Sequence, residues 1–241
     1  MRRLQRLPLS PETLQFLQER TRVVASAANP KAEVDRLWKL QTAKAFQEIR
    51  ASLRRMASGL ERCMYCEDSE GTDIEHFWPK LSYPERAFDW YNYLFACSRC
   101  NSNFKRSRFP LDDARRPLLL NPTEEEPLDH LSFLTTTGEY APRTPKGESS
   151  VDVFGLNRTT LPIGRWRAWA SLLHLLPRYA QLKSAGRDAD AKEIVEIFRT
   201  SPFSGVLAAF LRIAAGPSAR RFITPECRAV LAAHPEIATW L

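Results

Sequence analysis

No stretch of this sequence approaches the roughly 18 consecutive apolar residues that a membrane helix needs, so no membrane span is expected. The N-terminus, Met1-Arg2-Arg3-Leu4-Gln5-Arg6, has charge but no apolar run behind it. Pro8 and the polar residues from Ser10 onward exclude a signal-peptide reading, and a cytoplasmic protein with no membrane partner is expected. There is no internal repeat and no low-complexity segment, so a repeat array is not expected. Cysteine is scarce, at five residues. Four of the five form two C-x2-C pairs, which in a cytoplasmic chain reads as metal binding and not as a disulfide framework.

What is present is enough for a folded protein. The chain has 241 residues, 44% of them hydrophobic, sufficient for one large domain or two small ones with a buried core. The net charge of +7 is uneven. Residues 1–60 hold 12 Lys and Arg against 5 Asp and Glu, and the remainder is balanced. A basic N-terminal quarter suits a polyanionic partner, because phosphate contacts release counterions. Solvated Lys and Arg on a helix face explain it equally well.

The pattern predicts a mainly α (α+β) fold with three regions: a basic helical region over 1–60, a small irregular module over 61–113, and a loop-rich then helical region over 114–241. Ser10-Pro11 is a helix start, with Ser as N-cap and Pro in the first turn. A second helix is expected from about Lys31 to Ala57, ended by Gly59. Residues 114–150 read as loops with one hairpin turning near Thr137-Gly138. Helices follow over 161–183, broken near Pro177, and over 188–200, 203–215 and 225–234.

Cys63/Cys66 and Cys97/Cys100 stand 30 residues apart. Two thiolate pairs at that spacing can close a tetrahedral zinc site, each tight turn offering two sulfurs. Four protein ligands leave no open position, so such a zinc ion is structural. A redox C-x2-C pair is the alternative. Cys227 reads as a small buried apolar residue.

Between and just after these pairs lie Asp73-Ile74-Glu75-His76-Phe77-Trp78-Pro79-Lys80, Trp90-Tyr91-Asn92-Tyr93-Leu94 and Cys100-Asn101-x3-Lys105. With the cysteines, this segment resembles HNH endonucleases that carry a zinc ribbon. More narrowly it resembles the PtuB nuclease subunits of Septu anti-phage defence systems, also found as retron-associated effectors. Weaker similarity reaches Leu156-Asn157-Arg158. The resemblance implies a ββα-metal module with His76 on the first strand, Asn92 near the second and Asn101 opening the helix. It implies His76 as general base, a task for a group with pKa near neutrality, and Asn92 fixing its ring. It implies Glu75 and Asn101 as oxygen ligands of a catalytic Mg²⁺ or Mn²⁺, with Asp73 ranked below Glu75. Lys105, four residues after Asn101 on one helical face, is implied as a contact to phosphate or developing charge. Lys80 and Arg99 are further phosphate candidates. The final His of the HNH pattern is here Asn101, which favours magnesium or manganese over zinc or nickel in the catalytic position.

Bland readings stand beside these. Taken singly, Glu-His is usually a surface pair and Asn a turn cap; it is their joint placement that argues for a site. Trp78, Trp90, Tyr91, Tyr93 and Phe95 read as the core of a small metal module before they read as a base-stacking surface. Glu124-Glu125-Glu126 reads as a solvated loop, and His130, His174 and His234 as structural or surface residues. The implied function is a DNA endonuclease working with a PtuA-like ATPase partner. The alternatives are an RNase acting on, for example, transfer RNA, and a non-catalytic zinc-containing nucleic-acid-binding or scaffold module.

Overall fold

The computed structural model describes residues 1–41 and 43–240. Helices occupy 54% of the chain, so the fold is mainly α, with two small antiparallel sheets. α1 (Pro11–Ser26) begins where the capping signal lies, with the Ser10 side chain accepting from Thr13 N. The single long helix expected over Lys31–Ala57 is two: α2 (Pro30–Trp38) and α3 (Lys44–Met56). Thr42, which the longer helix would have included, lies outside the described residues. The break lets α2 carry Val34 and Leu37 inward while α3 buries Phe46, Ile49 and Leu53 in its own direction.

β1 (Asp73–His76) and β2 (Tyr93–Ala96) pair antiparallel, with Asp73 opposite Ala96 and His76 opposite Tyr93. After β2 comes a short wide helix, Arg99–Lys105, marked by a bond from Arg106 N to the Asn101 carbonyl five residues back. The second hairpin joins β3 (Leu131–Phe133) to β4 (Tyr140–Pro142). Gly138 turns it with φ +75°, and a Cβ there would meet the Pro162 carbonyl at 2.0 Å. A one-turn helix α4 (Pro127–His130) leads into this hairpin.

The region read as loops also contains α5 (Pro145–Val153). Its signal was present in Thr144-Pro145: the Thr144 hydroxyl accepts from Gly147 N. α6 (Leu161–Ser184) runs unbroken through Pro177. Proline supplies no N–H, so the Leu173 carbonyl four residues back loses its helical donor. The thiol of Cys227, on another helix, donates to that carbonyl at 3.4 Å. Cys227 therefore does more than fill space. α7 (Asp188–Thr200), α8 (Gly205–Ala214), a turn α9 (Ala219–Phe222) and α10 (Pro225–Ala233) complete the chain. One continuous apolar core draws on all three regions, from Leu4 and Phe46 through Phe95 to Phe210 and Trp240. Among the described residues no single helix is long and apolar enough to cross a membrane.

The basic N-terminal quarter is partly spent inside the fold. Arg6 donates to the carbonyls of Trp90, Tyr91 and Tyr93, and Arg20 to that of Leu37. The acidic run is not simply solvated: Glu125 pairs with Lys146 at 2.8 Å and approaches His130 at 3.2 Å.

Candidate metal centre and adjoining cleft

The four cysteines lie in two loops that the hairpin holds together. Cys63 N donates to Ser69 O, closing the first turn, and Met64 N donates to Phe95 O, tying that turn to β2. β2 then delivers Cys97 directly, and the wide helix delivers Cys100. All four sulfurs lie within 4.8 Å of one another and all four residues are buried. Cys66 and Cys97 Sγ are 3.9 Å apart, close to the edge of about 3.8 Å that Zn–S bonds of about 2.3 Å give a tetrahedron. The crowded thiols split: hydrogen bonds from their neighbours pull Cys66 well below the ordinary thiol range and Cys97 down to about 7, burial pushes Cys63 well up, and Cys100, lowered by Cys63, is raised on balance by Cys66 and Cys97. Two N–H groups face the sulfurs: Cys100 N to Cys97 Sγ and Arg158 Nη2 to Cys100 Sγ, both at 3.4 Å. Soft, N–H-supported sulfurs in this arrangement fit zinc.

This centre also reaches outward. Tyr65, fully buried between the first two cysteines, stacks on Phe154 and donates to Glu75 Oε1 at 3.0 Å. Glu67 accepts from Gly205 N at 3.2 Å, and its backbone carbonyl accepts from Phe203 N at 2.9 Å. Gly205 is favoured as glycine, since a Cβ would come within 2.8 Å of the Met1 backbone as well as 2.6 Å of the Glu67 carboxylate.

On the other side of β1 and the wide helix lies a cleft of about 420 Å³. Two rungs join these elements. Asn101 Nδ2 donates to Asp73 Oδ2 at 2.9 Å, and Lys105 Nζ meets Glu75 Oε1 at 2.8 Å. The spacing fits both: Asp73 and Glu75 point to one face of the strand, and Asn101 and Lys105, about one turn apart, to one face of the wide helix. Asn101 and Lys105 do project from one helical face, but Lys105 is turned into the protein. It is 0% exposed and also donates to the His76 carbonyl at 2.8 Å, not to an approaching phosphate. Burial pushes the Glu75 carboxyl up, with Lys105 and Tyr65 opposing. Asp73, ranked below Glu75 from the sequence, is the carboxylate set beside Asn101. Replacing Lys105 with Met strands a buried carboxylate and should cost about 3–5 kcal/mol in urea denaturation. The double variant Glu75→Gln/Lys105→Met should recover part of that loss; simple additivity would show that the two groups do not communicate.

His76 is 7% exposed. Its Nε2 lies 3.0 Å from the Ala87 carbonyl, an acceptor only, so Nε2 carries the proton and Nδ1 keeps the lone pair. Among the described residues no side chain bonds Nδ1. Burial lowers the ring to a pKa of about 3, against the Ala87 bond, with Lys80 and Lys105 adding to the depression, so the near-neutral pKa expected of this base is not found and the ring is the weaker base for it. The ring packs edge-on against Trp38 at 4.3 Å and Tyr93 at 5.2 Å. Asn92, which the resemblance implies as the residue fixing this ring, makes no hydrogen bond to it. Its amide accepts from Trp78 N at 2.7 Å and donates to the carbonyls of Trp78 and Arg86, stapling the loop between the strands so that Ala87 meets the histidine.

Lys80, half-buried, lines the cleft, whereas Arg99 is exposed and away from it. Trp38, Gln41 and Arg50 line it too, and no local pattern in the sequence marks them. Of the aromatics, Trp90, Tyr93 and Phe95 are core, while Tyr91 is 63% exposed.

Fold and centre together define a mainly α protein built around a four-cysteine cluster of zinc-ribbon type. No protein-family model matches the chain. Septu protein PtuB of Bacillus mycoides (strain KBAB4) is 34% identical over 145 residues, covering 48% of this chain and 48% of that protein. Septu protein PtuB of Bacillus thuringiensis is 30% identical over 115 residues, covering 46% and 41%. The chain thus spans about half the length of the curated relatives it matches.

Proposed function

We propose that the cleft hydrolyses nucleic-acid phosphodiester bonds with a divalent cation, as the HNH-type nuclease component of a Septu-type anti-phage system. The observation that carries this reading is the imidazole of His76: neutral, fixed through Nε2, and with Nδ1 unbonded in a cleft that also holds Asp73 and Asn101. Relatives named for Septu support the defence role. DNA is the substrate we favour, and a PtuA-like ATPase the partner.

In this mechanism His76 Nδ1 takes a proton from the attacking water as the new P–O bond forms. The Ala87 carbonyl keeps the ring in the tautomer that leaves Nδ1 free. Asp73 and Asn101, with Glu75 behind them, offer the oxygen donors that Mg²⁺ or Mn²⁺ requires. Such an ion supplies Lewis-acid charge at the scissile phosphate and its departing 3′ oxygen. Lys80 adds positive charge at the cleft.

The test is cleavage of supercoiled plasmid and total RNA side by side, with magnesium or without, and with the ATPase partner or without. Plasmid cutting that needs the metal is the expected result. No cutting of either polymer in any arm, by folded and zinc-loaded protein, would remove the hydrolytic reading. The pH profile adds a second expectation. An ordinary histidine, pKa about 6.5, would lose activity below that value; with His76 at about 3, the rate should stay flat from pH 8 down to pH 5. Stability follows the opposite course. The unfolded ring binds a proton below about 6.5 that the folded ring refuses, so stability should fall as pH drops from 6.5 toward 3, measurable by thermal melts.

A further inference from the structure

The wall of the cleft opposite the hairpin comes from the N-terminal helices. Trp38 closes α2, Gln41 follows it, and Arg50 lies on α3. α3 commits Phe46, Ile49 and Leu53 to the core, which fixes the helix and with it the direction of Arg50. The Arg50 guanidinium donates to the Gln41 side-chain carbonyl beside the cleft. Lys80 and Arg106 line the same space. Against these three cations stand Asp73 and Glu75, and Glu75 is already neutralised by Lys105. The cleft therefore keeps an excess of positive charge suited to phosphate.

Its dimensions restrict what can bring that phosphate. His76 is 7% exposed and packs edge-on against Trp38, and the space in front of it is a cleft of about 420 Å³ lined by β1 and by residues of the N-terminal helices. That is room for about one nucleotide at the scissile bond, so a duplex has to present a locally unpaired strand, as a negatively supercoiled plasmid can. The indole of Trp38 is half-buried, with the Lys80 ammonium 5.9 Å from its ring. A cationic groove with an aromatic wall is how proteins hold unpaired strands.

We propose that this cleft takes a single nucleic-acid strand and that Arg50, delivered by the N-terminal helices, clamps a phosphate next to the scissile one. The proposal rests on the nuclease reading for the identity of the ligand. DNA and RNA strands share the required chemistry.

The experiment reads binding by fluorescence anisotropy without added divalent cation, so that no cutting intervenes. The probes are a thymidine oligomer of about twelve nucleotides, the matching uridine oligomer, and a duplex of equal length. At least one single strand should bind about tenfold or more tightly than the duplex. Arg50→Ala should weaken that binding about tenfold and reduce the slope of log affinity against log salt by about 0.7. Arg50→Lys should keep the slope. Circular dichroism checks that both variants fold, and Arg50→Gln, which retains a polar contact to Gln41, serves if Arg50→Ala does not. A duplex that binds as tightly as either strand, or a charge-removing variant with wild-type affinity and slope, overturns the proposal. A wild type that holds single strands but cuts nothing when magnesium is added would instead sink the hydrolytic reading alone.

Discussion

His76→Ala should lower plasmid cleavage by about 10²–10⁴-fold, the span that loss of a positioned general base produces. The change removes one ring from a tight aromatic setting and leaves the rungs between β1 and the wide helix in place. Melting temperature and near-ultraviolet circular dichroism would show whether Trp38 and Tyr93 keep their packing. Added imidazole is the sharper control. The vacated space lies between Trp38 and Tyr93 with the Ala87 carbonyl at its end, so exogenous imidazole can take up the same hydrogen bond and offer the same free nitrogen. Partial rescue of cutting is expected. A folded His76→Ala protein with wild-type activity would remove the base from the mechanism.

The second large effect concerns zinc. Losing the metal, by chelation or through Cys63→Ser or Cys97→Ser, should unfold the whole chain and not only the hairpin. Structural zinc contributes on the order of 10 kcal/mol in small modules, comparable with the 5–15 kcal/mol that holds an entire domain. Here the cluster is also a junction. Met64 is bonded to β2, Tyr65 to Glu75, and Glu67 to the start of α8. Far-ultraviolet circular dichroism should therefore lose most of its helical signal on zinc removal, although none of helices α1–α10 carries one of the four cysteines. Metal analysis should return one zinc per chain. A cysteine variant that keeps the helical signal and melting temperature of the wild type would show that the cluster stabilises nothing.

Local chemistry in the sequence made much of this legible. Paired C-x2-C turns read as a metal site because both the ligands and their spacing are local, and the fold gathers those four sulfurs. Ser10-Pro11 started a helix where its cap chemistry requires. What was not legible came from distance and from competition. Trp38 and Arg50 reach the cleft only because α2 and α3 pack across it, and nothing near them in the chain anticipates His76. The resemblance implied Asn92 as the residue fixing His76, yet its three hydrogen bonds go to loop backbone, where unsatisfied peptide groups compete for an amide. The break expected at Pro177 failed for a tertiary reason, a thiol from α10 supplied to the stranded carbonyl.

The bond from Gly205 to Glu67 has a consequence in time. Cys97 and Cys100 follow the first cysteine pair closely in the chain, so the knuckle can close while much of the protein is still being synthesised. Phe203 and Gly205 arrive more than 130 residues after Glu67, whose backbone carbonyl and carboxylate they bond. Closing so long a loop is entropically slow compared with the turns of the knuckle. Refolding followed at both ends should show zinc captured first and α8 docked last, leaving a metal-loaded intermediate whose C-terminal helices have yet to find their seat.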